Sequence, residues 1–100
     1  MLTKQTIEQY KENGNIIDLF KNNNDNKSMT YILKNLGRLD NTFNSEILID
    51  LLNNSNPKIR YWSIKNLGKL KDQNLIDKFY SIAKHDESTE VRREAVSSIG

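Results

Sequence analysis

The residues in this chain with chemical reach are few. His85 is the single histidine, and there is no cysteine. One imidazole without thiolates cannot assemble a His/Cys metal site, and no paired-histidine spacing occurs. Serines and aspartates are numerous, but no nucleophile-elbow pattern sets a serine up for attack. Gly37 and Gly68 match neither the dinucleotide-binding nor the P-loop glycine spacing. Arg60 and Arg92 could each grip a phosphate or a carboxylate. Tyr61 and Trp62, adjacent in the chain, could anchor a partner through large amphipathic rings. Lys58, Lys65, Lys69, Lys71, Lys78 and Lys84 could line a groove for an anion. Asp72, Asp77 and Asp86 are interleaved with them, the pattern of a mixed solvated face. Binding chemistry is available, whereas no catalytic or cofactor-holding set is. The chain is expected to be non-enzymatic, with no cofactor and no metal.

Whatever binds must be positioned by repeated helices. Lys34-Asn35-Leu36-Gly37-Arg38-Leu39 returns as Lys65-Asn66-Leu67-Gly68-Lys69-Leu70, and Ser97-Ser98-Ile99-Gly100 closes the chain as a partial third copy. Upstream, Asn56-Pro57-Lys58-Ile59-Arg60 lines up with Ser88-Thr89-Glu90-Val91-Arg92. A period near thirty with two helical patterns in each is the signature of a helix-pair solenoid. Ile59, Ser63 and Leu67 recur every fourth residue and predict one buried helix face. Ile17, Leu48 and Phe79 fall at equivalent positions of successive second helices, as do Phe20, Leu51 and Ile82. The pattern predicts helices near 3–13, 15–22, 27–38, 43–54, 57–69, 73–85 and 88–100, with no strand. Pro57 suits a first helical turn, Ser88 an N-cap, and Gly14 a left-handed helix stop. Asp72 reads as a cap or turn residue between two helices.

The run Asn53-Asn54-Ser55-Asn56-Pro57-Lys58-Ile59-Arg60, continued by Asn66-Leu67-Gly68-Lys69-Leu70-Lys71-Asp72, resembles the HEAT-like repeats described in phycobilisome lyases. Asp86-Glu87-Ser88-Thr89-Glu90-Val91-Arg92-Arg93-Glu94-Ala95 is similar to them as well. The resemblance implies an all-α solenoid of stacked antiparallel helix pairs, about seven helices in this length. It also implies structural roles for Arg60 and Arg92, bonding across to the neighbouring repeat. Gly37 and Gly68 are expected at close helix contacts or turns. Met29 departs from the pattern by standing where the arginine should be.

The expected organisation is two capping helices over 1–24, a degenerate repeat over 25–55, a repeat over 56–87, and the first helix of a further repeat over 88–100. The last helix, with Val91, Ala95 and Ile99 on its apolar side, is expected to want a cover. That leads to two expectations: the chain is a piece of a longer protein, and a dimer through this helix can form.

The formal net charge is +2. The second half holds nine Lys/Arg against six Asp/Glu, a mild lean toward an anionic partner. Mean hydropathy is −0.73, and no apolar run could span a membrane. The N-terminus lacks an apolar signal core. A cytoplasmic chain with no membrane contact is expected. The functional expectation is a scaffold for another protein or another domain, with Tyr61, Trp62, Lys69, Lys71 and Lys78 as partner-binding candidates. Asp50, Lys78 and Ser81 fall off the apolar stripes and are expected at the surface. The alternative is a nucleic-acid-binding accessory domain of a DNA-modifying enzyme. An enzymatic reading by analogy with the lyases ranks last, because fold does not carry function.

Overall fold

A computed structural model describes residues 2–100. Among these the chain forms seven α-helices: α1 (Lys4–Glu12), α2 (Ile16–Asn22), α3 (Asn26–Lys34), α4 (Glu46–Leu51), α5 (Pro57–Gly68), α6 (Ile76–His85) and α7 (Thr89–Ile99). A single 3₁₀ turn, Gln73–Leu75, leads into α6. No strand occurs among the described residues. The molecule measures 37 × 26 × 17 Å, the proportions of a slab built from stacked helix pairs.

Four of the helix starts, those of α1, α3, α5 and α7, are capped by a side chain. Thr3 Oγ1 accepts from Thr6 N at 3.1 Å, Asp25 Oδ1 from Ser28 N at 2.8 Å, and Asn56 Oδ1 from Lys58 N at 2.8 Å. Pro57 occupies the first turn of α5, where its missing N–H leaves nothing unpaired. Ser88 Oγ caps α7 through Val91 N. At the end of α1, Gly14 takes φ +74°. Its N–H donates to Lys11 O at 3.2 Å, and the next N–H, of Asn15, donates to Tyr10 O at 2.9 Å. That paired closure requires a left-handed residue, and glycine supplies it without steric cost.

Two helices are shorter than their apolar pattern predicts. The stretch 27–38 breaks at Lys34, and Gly37 takes φ +67° in the turn that follows. The stretch 43–54 contracts to Glu46–Leu51. Here Asp40 Oδ1 accepts from Thr42 N at 2.9 Å, and Asn44 Oδ1 accepts from Glu46 N at 3.1 Å. These short-range side-chain bonds offer the backbone an alternative to helix, so the chain turns twice before α4 begins. Leu36 and Leu39 stay buried although they lie outside α3.

The core runs the length of the slab. α5 is its centre, packed against α3, α4 and α7, while α6 packs on α7 and α1 on α2. A helix with neighbours on several sides must be apolar on more than one face. Accordingly Ile59, Ile64 and Leu67 of α5 are wholly buried, and Ser63 is buried with its hydroxyl donating to Ile59 O at 2.7 Å. Leu48 and Phe79 are buried at their equivalent positions, and Ile17 is half-buried. Truncating Leu67 to alanine would cost about 3 kcal/mol, the range for an enclosed leucine.

α7 corrects one expectation. Val91 and Ala95 are wholly buried, because α7 packs on both α5 and α6. The apolar residue it leaves outside is Val96, 60% exposed.

Candidate interaction face

The two glycines of the repeated hexapeptide do different work. Gly37 sits in the left-handed region, where a Cβ would meet only Lys11 Nζ at an ordinary contact distance of 3.8 Å. Gly68 lies inside α5, where a Cβ would stand 2.8 Å from Ser98 Oγ and 3.2 Å from Ser98 Cβ. The first is a requirement of backbone conformation, the second of close helix approach.

Arg60 and Arg92 tie loops. Arg60 Nη1 donates to Asn54 O at 2.9 Å, and Arg92 Nη1 donates to Asp86 O at 2.5 Å, the same six-residue backward reach in both repeats. Arg60 also reaches forward to the Asp86 carboxylate, in a pair whose side chains are 14% and 9% exposed. Burial by itself would raise the Asp86 pKa. The Arg60 guanidinium, the Ser88 N–H and the nearby Arg92 charge outweigh it and hold the carboxyl below its usual range. Met29 takes the arginine position one repeat earlier, and Asn54 takes the position of Asp86, its Oδ1 accepting from Asn56 N at 2.8 Å. Cation and anion are therefore absent together at that junction.

Lys69 is exposed, but its ammonium is engaged within the protein. Its ammonium donates to Gly37 O at 2.6 Å and to Asn66 Oδ1 at 2.9 Å. Burial lowers its pKa, and the charges of Lys11 and Lys65 add to the effect. Lys11 grips the same turn from the other side, donating to Leu36 O at 2.8 Å and Arg38 O at 2.9 Å. Asn66, buried in the seam, donates to Leu33 O and to Trp62 O, both at 2.9 Å. Asp72 caps the 3₁₀ turn through Asn74 N at 2.9 Å. Lys71, at φ +53°, is exposed in the turn after α5. Lys78 is exposed on α6, as is Ser81, and Asp50 is exposed on α4.

Tyr61 and Trp62 are half-buried and meet edge to face, with centroids 5.3 Å apart and planes at 83°. Lys34 Nζ lies 5.7 Å from the Trp62 ring centroid, and Lys65 Nζ lies 5.9 Å from each of the two rings. Lysines from two neighbouring helices thus hold positive charge against one aromatic pair. Tyr31, the counterpart of Trp62 on α3, is 37% exposed and lines an open groove with Leu2, Lys27, Lys34 and Lys58. No Asp or Glu occurs from Asn26 to Leu39 or from Leu51 to Lys71. Beyond α5 the charges are mixed, with Glu90, Arg93 and Glu94 beside Tyr61 and Lys65 3.9 Å from Glu94. The candidates Tyr61 and Trp62 therefore stand in a basic and aromatic field on α3 and α5, and Lys78 stands apart from it on α6. Lys34 completes this field. Its alignment with Lys65 in the repeated hexapeptide is the signal that marks it.

Among the described residues no three His, Asp or Glu side chains gather where a metal could bind. No helix among the described residues is long and apolar enough to cross a membrane. In comparisons with known proteins, the family model for HEAT repeats matches residues 16–100. No curated protein and no solved structure matches.

Proposed function

Since the chain belongs to the HEAT repeat family, we propose that it is a non-catalytic scaffold holding a protein partner on the outer face of α3 and α5. The observation that carries this is the cluster of Tyr31, Tyr61 and Trp62 with Lys34 and Lys65. Aromatic rings that keep partial exposure offer large contact area at low entropic cost, the composition of interface anchors. Stacked helices supply a rigid, extended support for such a face. Lys71 and Lys78 would contribute only at the margins, and Lys69 would act by fixing the Gly37 turn. The finer kinship with phycobilisome-lyase repeats is supported by Ile59-Arg60, Ser63, Leu67-Gly68 and Asp72, and it brings no lyase chemistry with it.

The test is site-specific crosslinking. A photoreactive side chain at Tyr31 or Trp62 should trap protein that survives nuclease treatment, and the same group at Lys78 should not. Equal trapping at all three positions would sink the reading. The second reading, a nucleic-acid accessory module, is favoured by the two acid-free stretches. It calls for gel-shift measurements with duplex DNA across a salt series, where steep weakening with salt would promote it.

A further inference from the structure

We infer that the α3–α5 face takes an acidic protein segment carrying an apolar anchor side chain. This deepens the scaffold reading and rests on it. The groove beside Tyr31 has Leu2 and the Tyr31 ring as its apolar parts, and Lys27, Lys34 and Lys58 contribute to its lining. Lysine stems cover apolar surface while their ammonium groups stay in water. Such a site offers an apolar floor with cations around the rim. It suits a leucine or phenylalanine flanked by carboxylates.

The charge field is also narrow. α3 and α5 carry no acid at all, but the neighbouring α7 presents Glu90 and Glu94, with Arg93 between them, next to Tyr61. Packed helices lie about 10 Å apart, so the basic strip is about one peptide chain wide. A DNA duplex is about twice as broad and would bring phosphates over those glutamates. Furthermore, Lys34 and Lys65 point their ammonium groups at ring faces, which leaves an aromatic centre between charges and not a continuous phosphate track. The charge complementarity therefore selects a carboxylate-bearing peptide over a nucleic acid.

The experiment uses the full chain and three labelled probes: a short Glu-rich peptide containing two leucines, the same peptide with every Glu replaced by Gln, and a short DNA duplex. Anisotropy at low ionic strength and at about 0.15 M salt reports affinity, and Trp62 fluorescence reports location. The acidic peptide should bind and shift the Trp62 emission, and the Gln peptide should bind at least about tenfold more weakly. The double substitution Lys34→Glu with Lys58→Glu should abolish binding while helix content is kept. Lys78→Glu should bind like the parent chain. Equal binding of the two peptides, a wild-type affinity in the double variant, or a duplex that binds while the acidic peptide does not would each overturn the inference. If proteins crosslink at Trp62 but the acidic peptide fails, the inference falls and the scaffold reading stands; if both fail, both fall.

Discussion

Arg60 and Asp86 meet as a two-pronged pair, Nε to Oδ2 at 2.9 Å and Nη2 to Oδ1 at 2.9 Å, although 26 residues separate them. The pair is mostly enclosed, and Arg60 adds bonds to Asn54 O and Ser55 O. Arg60→Met leaves the Asp86 carboxylate without its cation and should cost about 2–3 kcal/mol. Asp86→Asn should cost a similar amount. The double substitution recreates the Met29 and Asn54 combination of the preceding repeat. It should cost clearly less than the sum of the two, and urea unfolding of all four chains measures the coupling. Strict additivity would show that the pair is not coupled.

The same pair sets a pH dependence. The Asp86 pKa is lower folded than unfolded, so the unfolded chain takes up a proton first as acid is added. The stabilisation is present above the ordinary carboxylate range of about 3.9 and is lost as pH falls below it, through the folded value. Thermal unfolding between neutral and acid pH should show a steeper loss in the parent chain than in Asp86→Asn.

Gly37 and Gly68 should respond to asparagine by different amounts and for different reasons. At Gly37 the φ of +67° is one that asparagine tolerates, and the nearest atom to a new Cβ is Lys11 Nζ at 3.8 Å. The cost there should stay within about 1 kcal/mol. At Gly68 the added side chain collides with Ser98, and overpacking of this kind costs about 1–3 kcal/mol. Ser98→Gly should recover much of the loss at Gly68 and none at Gly37, as read by unfolding midpoints.

Asn66 is a buried amide whose two donors and one acceptor are all engaged, by Leu33 O, Trp62 O and Lys69 Nζ. Asn66→Leu keeps the γ-branched shape but is bulkier, and it leaves Leu33 O without that donor. It should destabilise by about 1–3 kcal/mol and loosen the Gly37 turn, because Lys69 loses one of its acceptors. Amide hydrogen exchange across 35–39 would register that loosening, and unchanged protection would contradict it.

The helix pairs were legible because their information is local and repeated. Ile59, Ser63 and Leu67 state a buried face in nine residues, and the hexapeptide at Lys34 and Lys65 announces the period. The early end of α3 and the late start of α4 were not legible from apolar spacing. Asp40 and Asn44 divert the backbone with single side-chain bonds that leave the apolar pattern intact. Arg60 could be recognised as a repeat residue, but its destination lies in the loop of the next repeat, which no periodicity within one helix reveals. Lys69 looks from its type like any solvated lysine. Only the left-handed turn at Gly37 brings a free carbonyl under its ammonium group. The face around Trp62 was half visible, since Tyr61 and Trp62 stand out by type, whereas Lys34 joins them only once α3 lies beside α5.

The fastenings of α5 are distributed unevenly along its length. Toward α3 the bonds from Asn66 to Leu33 O and from Lys69 to Gly37 O both lie at the C-terminal ends of the two helices. At their N-terminal ends, around Asn26 and Pro57, no side-chain hydrogen bond crosses between them among the described residues. Toward α7 the Arg60–Asp86 pair fastens the N-terminal end instead. The α3–α5 seam is thus held by two kinds of fastening: directed polar bonds at Asn66 and Lys69, and undirected apolar packing of the buried Met29 and Ile59 toward the first turns, which carry Lys27 and Lys58 at the mouth of the groove.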